Sequence, residues 1–256
     1  MTTRPAASAR ATTVVAAGGW ALIVAAIAFT AVFTYLATAF GYPEVLDGDA
    51  ATVLPRLLAL GATGRAVWAL YALLPLLLVP AGVGAHAALR DVSPGLSRIA
   101  SVLAVLAAVA MMLGLLRWPS IHWRLATAYV EAPNDAARYA IASVFDGLNV
   151  FLGRFVGEFV GELALNLFFL LTAIASWRSA RMPRWSAALG IVAAVLGLIA
   201  MWRNVAPIVA PVAQIENSVL PLWMIVSGVL LVRADRAPRR RGVVGDAAGA
   251  RRELDE

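Results

Sequence analysis

The sequence contains no cysteine and no lysine, and its only histidines are His86 and His122. The lack of cysteine excludes disulfides, thiolate metal sites and cysteine nucleophiles. Two histidines are too few for a histidine-rich metal centre. All 21 basic residues are arginine, which indicates a GC-rich coding genome, because no physical constraint on the chain forbids lysine.

Charge of either sign is scarce as well. Only 14% of the 256 residues are charged and 61% are hydrophobic, whereas about a quarter are charged in a soluble domain. Apolar runs of 18 or more residues recur, and runs of that length predict transmembrane helices. These runs lack the alternation of a membrane β-barrel. The sequence therefore predicts an all-α, polytopic membrane helix bundle.

The apolar runs predict six spans. The first run is too long for the apolar part of a secretory signal, which has about 7–15 residues, so it is interpreted as an uncleaved helix. Pro75 and Pro80 predict a kink in the second span. The spans are expected near residues 14–40, 66–89, 99–116, 155–177, 185–202 and 212–232. A transmembrane domain at 14–233 thus lies between segments 1–13 and 234–256, both predicted to be disordered.

Two further amphipathic helices are predicted between the spans. The helix at 50–60 has Asp49 as its N-cap, and its apolar face suits either a lid on the bundle or, the favoured interpretation, a packed loop helix. A second helix at 134–152, capped by Asn134 or Asp135, is expected to lie outside the membrane and to bend into the fourth span near Gly153 or Gly157.

The third span is expected to end at Arg117-Trp118-Pro119. Trp118 fits the aromatic belt at a membrane surface. Pro119 should stop the helix, because proline disfavours helical backbone at the residue before it.

The distribution of arginine predicts the orientation. With six spans both termini lie on one side, and that side would hold 14 of the 21 arginines. Because short cytoplasmic loops carry the excess of arginine, both ends are assigned to the cytoplasm, and the membrane to the plasma membrane. Arginines that follow the last span can also contact anionic lipid headgroups. These are Arg233, Arg236, Arg239, Arg240 and Arg241.

A polar stripe in the fourth span is the feature most unlike an ordinary membrane helix. Arg154, Glu158, Glu162 and Asn166 follow one another at four-residue spacing and would share one helix face. Gly153, Gly157 and Gly161 form an adjoining small-residue stripe.

Charges within a membrane usually face a protein interior or a wet cavity. In the predicted orientation the stripe lies in the outer half of the membrane. Polar residues at the outer ends of the other spans are expected at the same depth, and the two carboxylates could pair with Arg117, Arg154 or Arg203. The residues at this depth are Arg117, Arg203, Asn204, Glu216 and Asn217.

Two interpretations of this cluster remain open. The favoured one is a set of buried ion pairs that fixes helix packing, with the glycines allowing close approach of the helices. The alternative is a solvent-linked pair of carboxylates, Glu158 and Glu162, that binds a cation or carries protons.

The sequence lacks the residues that other kinds of site would need. No phosphate-binding glycine loop, zinc-protease motif or serine nucleophile motif is present, so neither a cofactor nor a metal nor catalysis is predicted. The net charge of +6 gathers on the predicted cytoplasmic side, which indicates topology rather than a nucleic-acid partner.

The order of these features resembles the bacterial multi-pass family called domain of unknown function 4386. The resemblance rests on Tyr42-Pro43-Glu44-Val45-Leu46, Arg117-Trp118, the Gly-Glu pairs at 157–158 and 161–162, and Leu222-Trp223 with Leu231-Val232-Arg233. It implies a bacterial integral membrane protein of six or seven helices and no assigned activity.

We therefore expect an integral membrane protein that acts as a structural or interaction module. Its expected partners are the lipid bilayer, anionic headgroups at the cytoplasmic face and another membrane protein or a second copy of itself. The alternative is a transporter of a small solute, ion or proton that uses Glu158 and Glu162.

Overall fold

Six helical segments are long and apolar enough to cross a membrane, as the hydropathy pattern predicts. The computed structural model describes residues 6–180 and 182–236, with the side chains of residues 6–12, 47 and 236 excepted. The candidate spans are Thr13–Phe40, Gly61–Leu89, Pro94–Val130, Asp135–Trp177, Arg184–Asn204 and Pro207–Asp235. The described residues contain no strand.

The described residues form ten α-helices; nine of them build these segments, joined in places by tighter or wider helical turns, and α2 lies between the first two segments. The α-helices are α1 (Ala6–Phe40), α2 (Ala50–Ala59), α3 (Gly61–Leu73), α4 (Leu78–Leu89), α5 (Pro94–Leu116), α6 (Trp123–Val130), α7 (Asp135–Leu148), α8 (Gly161–Trp177), α9 (Arg184–Ala200) and α10 (Ala210–Arg236). The 3₁₀ turn Leu74–Leu77 contains Pro75 and separates α3 from α4, in agreement with the predicted kink, whereas Pro80 lies within α4.

The terminal helices extend beyond their predicted limits. Helix α1 begins at Ala6, so residues 6–13 of the segment predicted to be disordered are helical, in keeping with the high helix propensity of their alanines. Helix α10 continues to Arg236. Residues 1–5 and 237–256, and with them the rest of both predicted disordered segments, lie outside the described residues.

The six spans close into a ring. Each span packs against the next one in the chain, and α10 packs against α1. The start of α1 and the end of α10 lie side by side, because a Cβ atom at Gly19 would come within 2.6 Å of the Gly228 carbonyl oxygen. We call the end of the bundle that carries these two termini the proximal end, and the opposite end the distal end.

A glycine lies at every contact between neighbouring spans of the ring. At three of the six contacts, a Cβ atom added to that glycine would lie within about 2.8 Å of the neighbouring helix backbone, so these helices approach more closely than side chains allow. The facing pairs are Gly18–Gly84, Gly82–Ala104, Gly114–Gly157, Gly197–Asn166, Gly190–Trp223 and Gly19–Gly228. The predicted glycine stripe of the fourth span packs entirely on α5 and its end, where Gly153, Gly157 and Gly161 meet Arg117, Gly114 and Met111.

A cap of three short helices, α2, α6 and α7, covers the distal end. Helix α2 starts at Asp49, whose side chain accepts a hydrogen bond of 2.7 Å from the Thr52 amide, so the predicted N-cap is confirmed. Hydrogen bonding with the Thr52 side chain, and to a lesser extent with its backbone amide, lowers the pKa of Asp49. Val53, Leu54 and Leu57 of α2 are buried against the aromatic core of the cap, so α2 is a packed helix, in agreement with the favoured interpretation.

The third span does not end as predicted. Helix α5 stops at Leu116, but the chain stays helical through a π-type turn at Trp118–His122 and continues as α6. The prediction that Pro119 stops the helix is wrong, because proline is tolerated in the first turn of a helical segment, where its missing N–H has no helical partner. The assignment of Trp118 to the aromatic belt is wrong too: its side chain is fully buried, stacked on Trp68 at 4.9 Å between ring centroids.

Helix α7 is confirmed, with the Asn134 side chain accepting a hydrogen bond of 2.9 Å from the Ala137 amide. It passes without a break into a π-helical segment at Asn149–Val160 and then into α8. Gly153 and Gly157, near which a bend was predicted, lie in this wider helical segment. Together these elements span 43 residues, roughly 65 Å at 1.5 Å per residue, about twice the thickness of a hydrocarbon core. Part of this helix must lie outside the membrane.

The contact between α5 and the fourth span leads to a stability prediction. A Cβ atom at Gly114 would lie 2.5 Å from the Gly157 Cα atom, so Gly114→Ala should force the two helices apart and lower the free energy of unfolding by about 1–3 kcal/mol. The measurement is thermal unfolding in detergent.

Gly147→Ala is the matched control, because a Cβ atom at Gly147 in α7 would meet nothing within 4 Å. We expect this variant to be as stable as the parent or up to about 1 kcal/mol more stable, since alanine has the higher helix propensity. If both substitutions had the same effect, the close approach of α5 and the fourth span would be disproved.

Candidate functional site: an arginine–glutamate cluster at the distal end

The predicted site residues lie on four different spans near the distal end. The π-helical segment carries Arg154 and Glu158, and α8 carries Glu162 and Asn166. Arg117 directly follows α5, Arg203 lies in the 3₁₀ turn Met201–Asn204 after α9, and Glu216 and Asn217 lie near the start of α10. The structure brings some of these residues into direct contact and leaves others apart.

Arg203 is the centre of the cluster. Its two terminal nitrogens donate hydrogen bonds to the two carboxylate oxygens of Glu162, each at 2.7 Å. Nη2 also donates to Oε2 of Glu158 at 3.0 Å, and Nη1 to the carbonyl oxygen of Ala200 at 3.2 Å. A two-pronged arginine–carboxylate pair of this kind is among the strongest polar contacts that side chains form. It fastens the fourth span to the end of the fifth.

Asn204 completes the coordination of Glu158. Its side-chain Nδ2 donates to Oε2 of Glu158 at 2.9 Å and to the backbone carbonyl of Arg154 at 3.2 Å. The three charged side chains of this group are each a quarter exposed or less, at 25% for Arg203, 24% for Glu158 and 19% for Glu162. We call Glu158, Glu162, Arg203 and Asn204 the Arg203 cluster.

Arg117 takes part in a separate set of hydrogen bonds, which reaches the π-helical segment at Asn149. Its Nε donates to the Asn149 side-chain oxygen at 3.2 Å and its Nη1 to the Gly114 carbonyl, while the guanidinium lies over the Trp118 ring at 5.1 Å from its centroid. Asn149 in turn donates to the Leu46 carbonyl at 2.9 Å. This chain ties the end of α5 to the π-helical segment and to the loop that leads into α2.

The structure places three further predicted residues, Arg154, Asn166 and Asn217, beside the ion pairs that Arg203 forms with Glu158 and Glu162. The backbone carbonyl of Arg154 accepts a hydrogen bond from Asn204. Asn166 is fully buried, donates to the Glu162 carbonyl at 2.9 Å and packs on Gly197. Asn217 is exposed. The four-residue spacing assumed an α-helix throughout, and the π-helical turns at 149–160 change which residues share a face.

Glu216 differs from the other two glutamates. Its side chain is only 7% exposed, and within the described residues it has no hydrogen bond and no ion pair. It nevertheless interacts electrostatically with both Glu162 and Arg203, so it borders the cluster. Three carboxylates therefore gather around the guanidinium of Arg203.

Tyr42 borders the cluster from the loop after α1. Desolvation by burial, with a smaller contribution from the negative charge of Glu158, raises the pKa of Tyr42 to about 12, so its hydroxyl stays protonated at neutral pH. This hydroxyl shares a hydrogen bond with Tyr71 of α3.

The cluster can hold positive charge in the form of a guanidinium, a proton or a small cation. Among residues 6–180 and 182–236 no group of three or more histidine, aspartate or glutamate side chains is arranged to hold a metal ion.

Sequence reasoning missed Asn149 as a site residue. Asn149 precedes Gly153 and Gly157 at the same four-residue spacing, and that pattern could have placed it on the face that meets α5. Asn204, which follows Arg203 directly, was expected at the depth of the cluster but was given no role in it.

A ring of six apolar helical segments, two of which are linked by a partly buried ion cluster, defines this chain as a polytopic integral membrane protein. It belongs to the family described as Domain of unknown function (DUF4386), whose profile matches residues 17–228. The resemblance drawn from the short sequence motifs is thereby confirmed. Comparisons with curated proteins and with solved structures find no match.

Proposed function

We propose that the chain is a structural or interaction module of the plasma membrane, in which the Arg203 cluster holds the fourth and fifth spans together in the outer half of the bilayer. The observation that supports this function best is the two-pronged pair between Arg203 and Glu162. Both carboxylates that the sequence offered for transport are engaged with Arg203, and an engaged carboxylate is a poor carrier.

Burial determines how much free energy is lost when one partner of these ion pairs is removed. Removal of one partner from a buried ion pair costs about 3–5 kcal/mol, because the other charge is left unpaired in a medium of low polarity. The same cost disfavours any movement that separates the fourth span from the fifth. A cluster of this kind therefore suits a scaffold whose distal end keeps one arrangement.

The proposed orientation puts both termini in the cytoplasm and the α2–α6–α7 cap on the outside. Its basis is the distribution of arginine, since 14 of the 21 would lie on the inner side. Arg233 at the end of α10 is exposed, and Arg236 follows one turn later. Together with Arg239, Arg240 and Arg241, which lie outside the described residues, they would contact anionic headgroups at about 1 kcal/mol each. A neighbouring membrane protein or a second copy would meet the apolar outer face of the ring.

The absence of native cysteine allows a direct test of this orientation. Two exposed positions are suitable: Tyr139 on α7, which is 77% exposed, and Asp91 in the proximal loop between α4 and α5. A membrane-impermeant maleimide added to intact cells should label Tyr139→Cys and not Asp91→Cys, and permeabilised cells should show labelling of both. The cysteine-free parent is the control. Labelling of Asp91→Cys in intact cells would reverse the orientation.

A second candidate function is translocation of a small solute, ion or proton. Glu216 favours it, because a buried carboxylate without a partner among the described residues is the group that a proton or cation would neutralise. In this alternative Glu158 and Glu162 stay fastened to Arg203, and Glu216 takes up and releases the charge.

Proton flux into proteoliposomes distinguishes the two functions. A module should give no more flux than empty liposomes when a membrane potential is imposed and a pH-sensitive dye is enclosed. A translocator should give a flux that Glu216→Gln abolishes while the unfolding temperature is retained. Asp146→Asn, a change at an exposed carboxylate of α7, is the matched control and should leave the flux of a translocator unchanged. A flux that survives Glu216→Gln would exclude Glu216 as the carrier.

A further inference from the structure

A small cavity lies inside the ring of helices, towards the proximal end. Its walls come from α1 (Leu22), α4 (Ala85), α8 (Thr172) and α10 (Trp223 and Ser227), so it is surrounded by spans from both halves of the chain. The centre of a water molecule can occupy about 10 Å³ of it, which is room for one water molecule and not for two. Along α8 it lies roughly 15 Å from Glu162, at 1.5 Å per residue, and is thus distinct from the Arg203 cluster.

Three polar atoms of this wall have no hydrogen-bond partner among the described residues. They are Oγ1 of Thr172, Nε1 of Trp223 and Oγ of Ser227, on side chains that are 9%, 2% and 7% exposed. Buried polar atoms in proteins are almost always hydrogen-bonded, either to protein or to ordered water. Three such atoms around one cavity are therefore evidence for a bound molecule.

The hydroxyls of Thr172 and Ser227 also depart from the behaviour of this chain elsewhere. In a membrane helix a threonine or serine commonly bonds back to the carbonyl four residues earlier. Thr30 does so to Ala26 at 2.8 Å, and Ser101 to Ser97 at 3.1 Å. Thr172 and Ser227 make no such bond, although both lie within helices that offer the carbonyl.

We propose that this cavity binds a single water molecule through Thr172, Trp223 and Ser227. The indole N–H can only donate, whereas each hydroxyl can donate or accept, so one water molecule can satisfy all three atoms at once. Apart from Ser176, the rest of the wall is apolar: besides Leu22 and Ala85 it includes Phe168 and Phe169. The water joins α8 to α10 across the interior of the ring, where these two spans are not chain neighbours.

The proposal is tested by whether one substitution lowers or raises the unfolding temperature. Thr172→Val keeps the shape of the side chain and removes the hydroxyl. With water bound, the change removes one of the hydrogen bonds of the water, and we expect the unfolding temperature to fall by about 2–4 °C. In a dry cavity the same change removes an unsatisfied polar atom and should raise the unfolding temperature. The control is Thr30→Val, which alters a hydroxyl bonded within its own helix.

A spectroscopic measurement makes the test independent of how the variants fold. In the wild-type protein, the indole N–H proton of Trp223, assigned by its absence in Trp223→Phe, should show a nuclear Overhauser cross-peak to a long-lived water. The cross-peak should weaken in Thr172→Val. A wild-type protein without this cross-peak, or a Thr172→Val variant as stable as the parent or more stable, would overturn the proposal.

Discussion

The cost of taking charge out of water governs the distal end of this bundle. A carboxylate in a membrane helix needs a cation or a proton, and two of them lie one helical turn apart in the fourth span. Arg203 meets both, with two hydrogen bonds of 2.7 Å to Glu162 and one of 3.0 Å to Glu158. Arg203 lies at the end of the fifth span, so the contact that neutralises the two carboxylates also packs the fifth span against the fourth.

Packing along the rest of the ring depends on small residues rather than on charge. Lipid tails are as apolar as leucine, so helices in a bilayer gain little by burying leucine against each other and associate instead through close contact. The glycine at each contact of the ring meets this condition, as where Gly114 faces Gly157 and Gly18 faces Gly84. The ion cluster adds a directional contact at one end of a bundle that close packing holds along its length.

The sequence predicted the features that depend on local patterns. Six spans follow from the length of the apolar runs, and the N-caps Asp49 and Asn134 follow from the side chains that precede each helix. Arg203 and Glu162 could be placed at a similar depth by counting residues from the ends of their spans. Their pairing could not be predicted, because two residues 41 positions apart come together only through the order of helices in the ring.

The wrong predictions have a common physical cause. Trp118 and Pro119 were assigned from the usual preferences of tryptophan for a membrane surface and of proline for helix ends. Both preferences gave way to the cap, where Trp118 is buried against Trp68 and the chain stays helical past Pro119. The π-helical turns at 149–160 have no signature in the sequence either.

The central claim is that Glu162 and Arg203 stabilise the bundle as a pair. A double-mutant cycle of Glu162→Gln and Arg203→Gln, with unfolding free energies measured in detergent, tests it most directly. We predict a coupling energy of at least about 1.5 kcal/mol, in the range of hydrogen bonds to charged groups. Effects of the two substitutions that add to within about 0.5 kcal/mol would contradict the account.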